Sequence, residues 1–270
     1  PEDKLTDENP VEEEAAKFSS DSYPDFELAE NACPKEKKEE KYSFVQAMKM
    51  LFTNKFYIMI CIIYICCHLY SSMISMGVFY MTYVLGDADM LGTFSAFINI
   101  PMMCGLLATP FLVKKLGGMY KLNFTGYLIA TIARALVIVG GYIGNLPMML
   151  IFTAIAAIGM SPMQGDLNAI IAACSDYTYR TTGKRIDGTM YSCSSLGVKI
   201  GGGIGTALTG WLLAAGNYVA NAPVQPDSCI NMLNLMYLWL PMIFNLIITI
   251  VLSRLTVEKA NEDWDKAHSN

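Results

Sequence analysis

Lys199 is the residue most at odds with its surroundings. It lies in an apolar run, 189–214, beside Gly201, Gly202, Gly203 and Gly205. For a helix starting at Thr189, Lys199 is ten residues along, ~15 Å deep at 1.5 Å per residue and near the middle of a ~30 Å hydrocarbon core. Ser192, Ser195, Lys199 and Thr206 fall at i, i+3, i+7 and i+14, on one helical face. A polar stripe on a membrane helix faces a bundle interior or a water-filled cavity. A lysine at that depth is costly and is by default a functional-site hypothesis. Its structural alternative is an ion pair that only joins helices.

Asp166 is the candidate partner for Lys199, about eight residues (~12 Å) from the cytoplasmic end of the preceding apolar run. Gln164 and Asn168 flank it and offer the hydrogen bonds that sugar hydroxyls need. In the first apolar run, Tyr64, His68, Ser71 and Ser75 make an i, i+4, i+7, i+11 stripe. His68 can serve as a hydrogen-bonded packing residue, and its stripe favours a cavity wall. Ser95 and Asn99 share a face in the second run, just before Pro101, which is expected to kink that helix. Arg134, in the third run, has no stripe around it. It is read as snorkelling or structurally paired, with no assigned role. The glycines after Lys199 are read as letting another helix approach closely.

Other chemistries find little support. The eight cysteines show no paired-ligand spacing and read as small packing residues. No metal and no organic cofactor is expected. No nucleophile–base pair converges, so the chain is not read as an enzyme. No basic patch is interleaved with aromatics, so nucleic acid is not an expected partner.

These residues need positioning by helices. The chain has 270 residues, 53% of them hydrophobic. Residues 1–41 are acidic and rich in Glu, Lys, Ser and Pro, and are expected to be a disordered cytoplasmic segment. Residues 42–54 read as an amphipathic interfacial helix with Phe44, Ala47, Met48, Leu51 and Phe52 on one side. Residues 55–255 are expected to form a six-helix transmembrane domain, and 256–270 a cytoplasmic tail. The six apolar runs are approximately 56–85, 90–113, 122–143, 147–174, 189–214 and 232–252, each long enough to span a bilayer at ~20 residues. A polar, basic loop is expected between the fourth and fifth. The predicted fold class is all-α, a polytopic membrane protein. The chain begins at Pro1 and is read as a piece of a longer one.

Charge asymmetry orients the spans. One set of loops holds Lys114, Lys115 and Lys121, then Arg180, Lys184 and Arg185, then Arg254 and Lys259. The other set, 86–89, 144–146 and 216–231, holds no Lys or Arg. The positive-inside rule puts the first set and both termini in the cytoplasm. The plasma membrane and its lipid are the expected surroundings.

A family resemblance rests on several of these residues together. Asp176-Tyr177, Thr182-Gly183-Lys184-Arg185, Asp187-Gly188, Tyr191-Ser192 and Lys199-Ile200-Gly201 resemble the hallmark of glycoside–pentoside–hexuronide:cation symporters of the major facilitator superfamily. Gly165-Asp166-Leu167, Gly210-Trp211-Leu212-Leu213 and Gly216-Asn217-Tyr218 are similar to sugar-transporting members. Residues 110–121, with Lys114-Lys115-Leu116-Gly117-Gly118, look like the superfamily's short basic loop between the second and third helices of a half. The family pattern reads Ala-Asp-x-x-Asp-Tyr-Gly-Glu. Here Ala173 stands at the first aspartate and Thr178-Tyr179 at Gly-Glu. The resemblance covers about residues 44–255.

The resemblance implies that this chain is the C-terminal six-helix half of a twelve-helix transporter, with the N-terminal half as its partner. The function it implies is sugar or glycoside symport with Na⁺ or H⁺ by alternating access. It implies that Lys199 lies close to the sugar and cation sites; with the polar residues read above, the expected substrate-side set is Lys199, Asp166, Ser195, Gln164, Asn168, His68, Tyr64 and Asn99. It implies cytoplasmic gating by Asp176, Tyr177, Lys184, Arg185 and Asp187. A non-transporting sensor or a partner-binding half-transporter is the competing function, but it would not need polar stripes on several helices.

Overall fold

The computed structural model describes Lys49 and residues 51–185, 187–220 and 222–268. The acidic segment 1–41 and most of the expected interfacial helix, with Phe44, Ala47 and Met48, lie outside the described residues. All regular structure among the described residues is helical, and six helices are long and apolar enough to cross a membrane.

The helices are α1 (Lys55–Leu85), α2 (Met90–Leu116), α3 (Met119–Ile143), α4 (Leu146–Thr182), α5 (Asp187–Ala215), α6 (227–252) and α7 (Val257–His268). α1 starts where the side chain of Asn54 accepts from the amides of Phe56 and Tyr57, at 2.9 and 3.3 Å. This occupies donors that have no partner within the helix. α2 carries Lys114 and Lys115 in its last turn and ends at Gly117, whose φ of 72° suits glycine at a helix terminus. α6 joins Asp227–Asn234 to Leu240–Leu252 through a π-helical turn, Leu235–Trp239, and α1 ends in a similar turn, Met81–Leu85. Tyr80 and Tyr237 stack there with ring centroids 4.5 Å apart.

α4 runs eight residues past the expected end of its apolar run, through Thr182. The polar stretch expected as a loop is therefore partly helical. The hydroxyls of Thr178, Thr181 and Thr182 donate to the carbonyls of Cys174, Tyr177 and Thr178 at 2.7 to 3.0 Å. Polar side chains are thus satisfied by the helix itself. The ring of Tyr177 meets Phe56 edge to face, anchoring the extension on α1.

α4 packs along α3 and α2, α5 lies along α1, and α6 bridges α1 and α3. The α3–α4 contact depends on glycine. A Cβ at Gly126 would fall on the carbonyl oxygen of Gly159, and one at Gly159 on that of Gly126. Only hydrogen at both positions lets the backbones approach so closely. Large apolar side chains stay exposed on α2 and α5, including Met103, Leu107, Phe111, Ile204 and Trp211.

The segment expected as a tail is the ordered helix α7. Val257 and Asn261 are buried against the bundle, and Asn261 donates to the carbonyl of Ala173 at 2.9 Å. Glu258 accepts from the amides of Met119 and Tyr120, each at 3.1 Å. A carboxylate is therefore set against the positive end of α3.

Candidate functional site

A cavity of about 330 Å³ opens between α1, α2, α3, α4 and α6. Its polar lining comes from Tyr70, Ser71 and Ser75 on α1, Ser95 and Asn99 on α2, Tyr127 on α3, Gln164 on α4 and Asn245 on α6. These are hydroxyls and amides that can both donate and accept, the chemistry that a polyhydroxylated solute requires. Met102, Met160 and Ile248 supply apolar wall between them. Asn99 donates to the carbonyl of Ser95 at 2.8 Å, tying the two polar groups of α2 together.

Asn99 and Gln164 thus reach the cavity, as do Ser71 and Ser75 of the expected α1 stripe and Ser95 on α2. Asp166 does not line it. The side chain of Asp166 is buried and accepts from Asn123 Nδ2 at 3.2 Å on the α3 side of α4. Two residues are ~200° of helix turn, so Gln164 and Asp166 face opposite ways.

Lys199 is exposed, and no ion pair joins it to Asp166 among the described residues. Asp166 instead turns to Asn123 on α3. Ser195 is exposed on the same helix and donates to the carbonyl of Tyr191 at 3.1 Å. The Tyr191 hydroxyl crosses to α4 and donates to the carbonyl of Asn168 at 3.1 Å. A polar, exposed edge of α4 and α5 results, carrying Asn168, Tyr191, Ser195 and Lys199.

Tyr64 and His68 are half-buried and do not line the cavity. His68 faces α5, where a Cβ on Gly201 would come within 3.0 Å of the His68 Cβ. Gly201 and Gly205 let α5 lie close to α1, whereas added methyl groups at Gly202 and Gly203 would meet nothing within 4 Å.

The five expected gating residues gather near the other end of the bundle. Ser175 donates to the carboxylate of Asp187, which lies in the first turn of α5. The guanidinium of Arg185 sits 5.2 Å from the Tyr179 ring centroid. Tyr177 and Lys184 line a second hollow of about 570 Å³ with Lys49, Thr53, Asn54 and Thr178. Asn54 Nδ2 donates to the Thr178 hydroxyl at 2.8 Å, joining the start of α1 to the end of α4. Asp176 is exposed on the last turns of α4.

Arg134 is the residue that sequence reasoning undervalued. It is 1% exposed, so it does not snorkel. Of its two expected fates it takes structural pairing: Nη2 donates to the Tyr70 hydroxyl, with the guanidinium 5.1 Å from the Tyr70 ring centroid. Its Nε and Nη1 are buried without hydrogen-bond partners. The available signal was its position inside α3 (Met119–Ile143), ~22 Å from the start of the helix and ~14 Å from its end, where a cation is expensive. Tyr70 was missed because it lies off the stripe of Tyr64, His68, Ser71 and Ser75, Asn123 because it follows the basic loop residue Lys121, and Asn245 because it sits alone in an apolar run.

No group of three or more His, Cys, Asp or Glu side chains is arranged to hold a metal among the described residues. The sequence matches the family model for "MFS/sugar transport protein" over residues 27–259. Similar curated proteins include the isoprimeverose transporter of Lactiplantibacillus pentosus, 29% identical over 62% of this chain and 34% of that protein. The glucuronide carrier protein homolog of Escherichia coli K12 is 29% identical over 67% of this chain and 40% of that protein. The putative sulfoquinovose importer of Salmonella typhimurium LT2 is 24% identical over 74% and 42%. The chain therefore spans less than half the length of these relatives.

Proposed function

The chain belongs to the MFS/sugar transport protein family, and on that premise we propose that it is the C-terminal half of a sugar or glycoside symporter driven by Na⁺ or H⁺. The single observation that carries this reading is the cavity lined by hydroxyls and amides from five different helices. Such a lining binds neutral hydroxyls reversibly, without chemistry. Alternating access against an N-terminal half would expose it to each side of the membrane in turn. The relatives matched over about 34–42% of their length support the half-transporter reading.

In this reading Ser71, Ser75, Asn99 and Gln164 contact the substrate. Lys199 and Ser195, on the exposed edge of α5, face the N-terminal half and respond to the coupling ion. Asp176, Tyr177, Lys184, Arg185 and Asp187 close the cytoplasmic side. Exposed apolar residues on α2 and α5 meet lipid or the other half. The protein sits in the plasma membrane with both termini cytoplasmic, which the Lys/Arg asymmetry of its loops supports.

The experiment is uptake of labelled glycosides by the complete transporter in proteoliposomes, with and without an inward Na⁺ or H⁺ gradient. Concentrative uptake under one gradient and equilibration without it is the expected result. Absence of uptake under either gradient across a panel of pentosides, hexosides and hexuronides would reject the function.

A further inference from the structure

Arg134 is a buried cation that no ion pair neutralises among the described residues. Arg134 is 1% exposed, and a guanidinium keeps its charge in proteins. Two of its three nitrogens are buried without hydrogen-bond partners. Among the described residues Asp166 is an acid within these spans, but it lies toward the end that Glu258 caps, and its hydrogen bond goes to Asn123. An uncompensated buried charge is costly, so a fold that retains one here has a use for its field.

That field reaches the cavity through Tyr70. The phenol is half-buried, lines the cavity and accepts from Arg134 Nη2. Its acceptor side is thus taken by a cation, and its own O–H finds no acceptor among the described residues. A hydroxyl bonded to a guanidinium is polarised toward donation, and hydrogen bonds to charged acceptors are roughly twice as strong as neutral ones. Beside it, Ser71, Ser75, Asn99 and Gln164 provide neutral, two-way partners. The wall therefore combines one strong donor backed by positive charge with several groups suited to sugar hydroxyls.

We propose that Tyr70 is the specificity-determining donor for a negatively charged group on the substrate, with Arg134 as its positioning residue, so that the cavity prefers anionic sugars over neutral ones. This rests on the transport reading above. The negative charge stands against Tyr70, because the Arg134 nitrogens are shielded from the cavity. A carboxylate and a sulfonate share this chemistry.

The test measures binding of methyl β-D-glucuronide and methyl β-D-glucoside to the complete purified transporter by calorimetry, with uptake competition alongside. The expected result is a preference of about tenfold or more for the glucuronide, the size of effect a desolvated charge contact supplies. Tyr70→Phe should narrow the preference to within about threefold while glucoside binding persists. Arg134→Lys, which keeps the charge, should retain more of the preference than Arg134→Gln. Equal or tighter glucoside binding by the unaltered protein, or an unchanged preference in Tyr70→Phe, overturns the inference and leaves sugar transport standing. Binding of neither glycoside, with no sugar uptake, overturns both.

Discussion

Asn123 donates to Asp166 at 3.2 Å across the α3–α4 interface, on the side of α4 turned away from Gln164 and the cavity. Asp166 is thereby part of helix packing, close to the end of the bundle where Glu258 caps α3. Its removal should read as a folding defect before a binding defect.

Asp166→Ala should lower the unfolding free energy by about 1–3 kcal/mol, because the buried Asn123 amide loses its acceptor. A double-mutant cycle with Lys199→Ala should give a coupling below ~0.5 kcal/mol, as expected of side chains that share no partner. Thermal or denaturant unfolding in detergent measures both. A coupling of about 3–5 kcal/mol would restore the buried ion pair.

Glycine positions should separate sharply. Gly126→Val puts side-chain atoms onto the Gly159 backbone and should cost about 3 kcal/mol or more, through overpacking that backbone cannot relieve. Gly203→Ala has open space in this half and should be neutral or stabilising by up to ~1 kcal/mol through helix propensity. Folded yield by fluorescence-detected size exclusion compares them. Equal yields would mean that α3 and α4 do not meet at Gly126.

Glu258→Ala removes the acceptor of two amides at the start of α3 and should cost about 0.5–2 kcal/mol, the range of helix-cap losses. Amide exchange at Met119 and Tyr120 should accelerate with it. Asp265→Asn weakens the exposed pair with Arg180 and should change stability by only ~0–1 kcal/mol.

Lys199→Ala should leave folded yield unchanged, because the ammonium is exposed in this half. It should abolish gradient-driven uptake by the complete transporter. Lys199→Arg should fail as well, since a planar fork does not replace a compact ammonium. Normal concentrative uptake by Lys199→Ala would remove the residue from the coupling machinery.

In a cysteine-free background, Val219→Cys should react with an impermeant maleimide added outside intact cells, since Val219 is 54% exposed in the loop between α5 and α6. Lys184→Cys should react only after permeabilisation. The opposite pattern would invert the proposed orientation.

The six spans were legible from the sequence because hydrophobic length is a one-dimensional quantity. The expected runs 90–113 and 122–143 lie within α2 and α3, and their ends differ by a few residues. The stripes of Tyr64, His68, Ser71 and Ser75, and of Ser95 with Asn99, were legible for a related reason: a 3.6-residue period relates positions within one helix. Ser71, Ser75, Ser95 and Asn99 reach the same cavity, whereas Tyr64 and His68 do not. That period says nothing about which way a helix is rotated against its neighbours. Depth alone matched Asp166 to Lys199, whereas the rotation of α4, set where Gly126 and Gly159 bring its backbone against α3, turned Asp166 to Asn123. Arg134 and Tyr70 lie 64 positions apart on helices that are not consecutive, and no periodicity links them. Their meeting, like the capping of α3 by Glu258, was decided only by tertiary packing, because a buried charge or an open helix end takes whichever partner the assembled bundle brings within hydrogen-bonding reach.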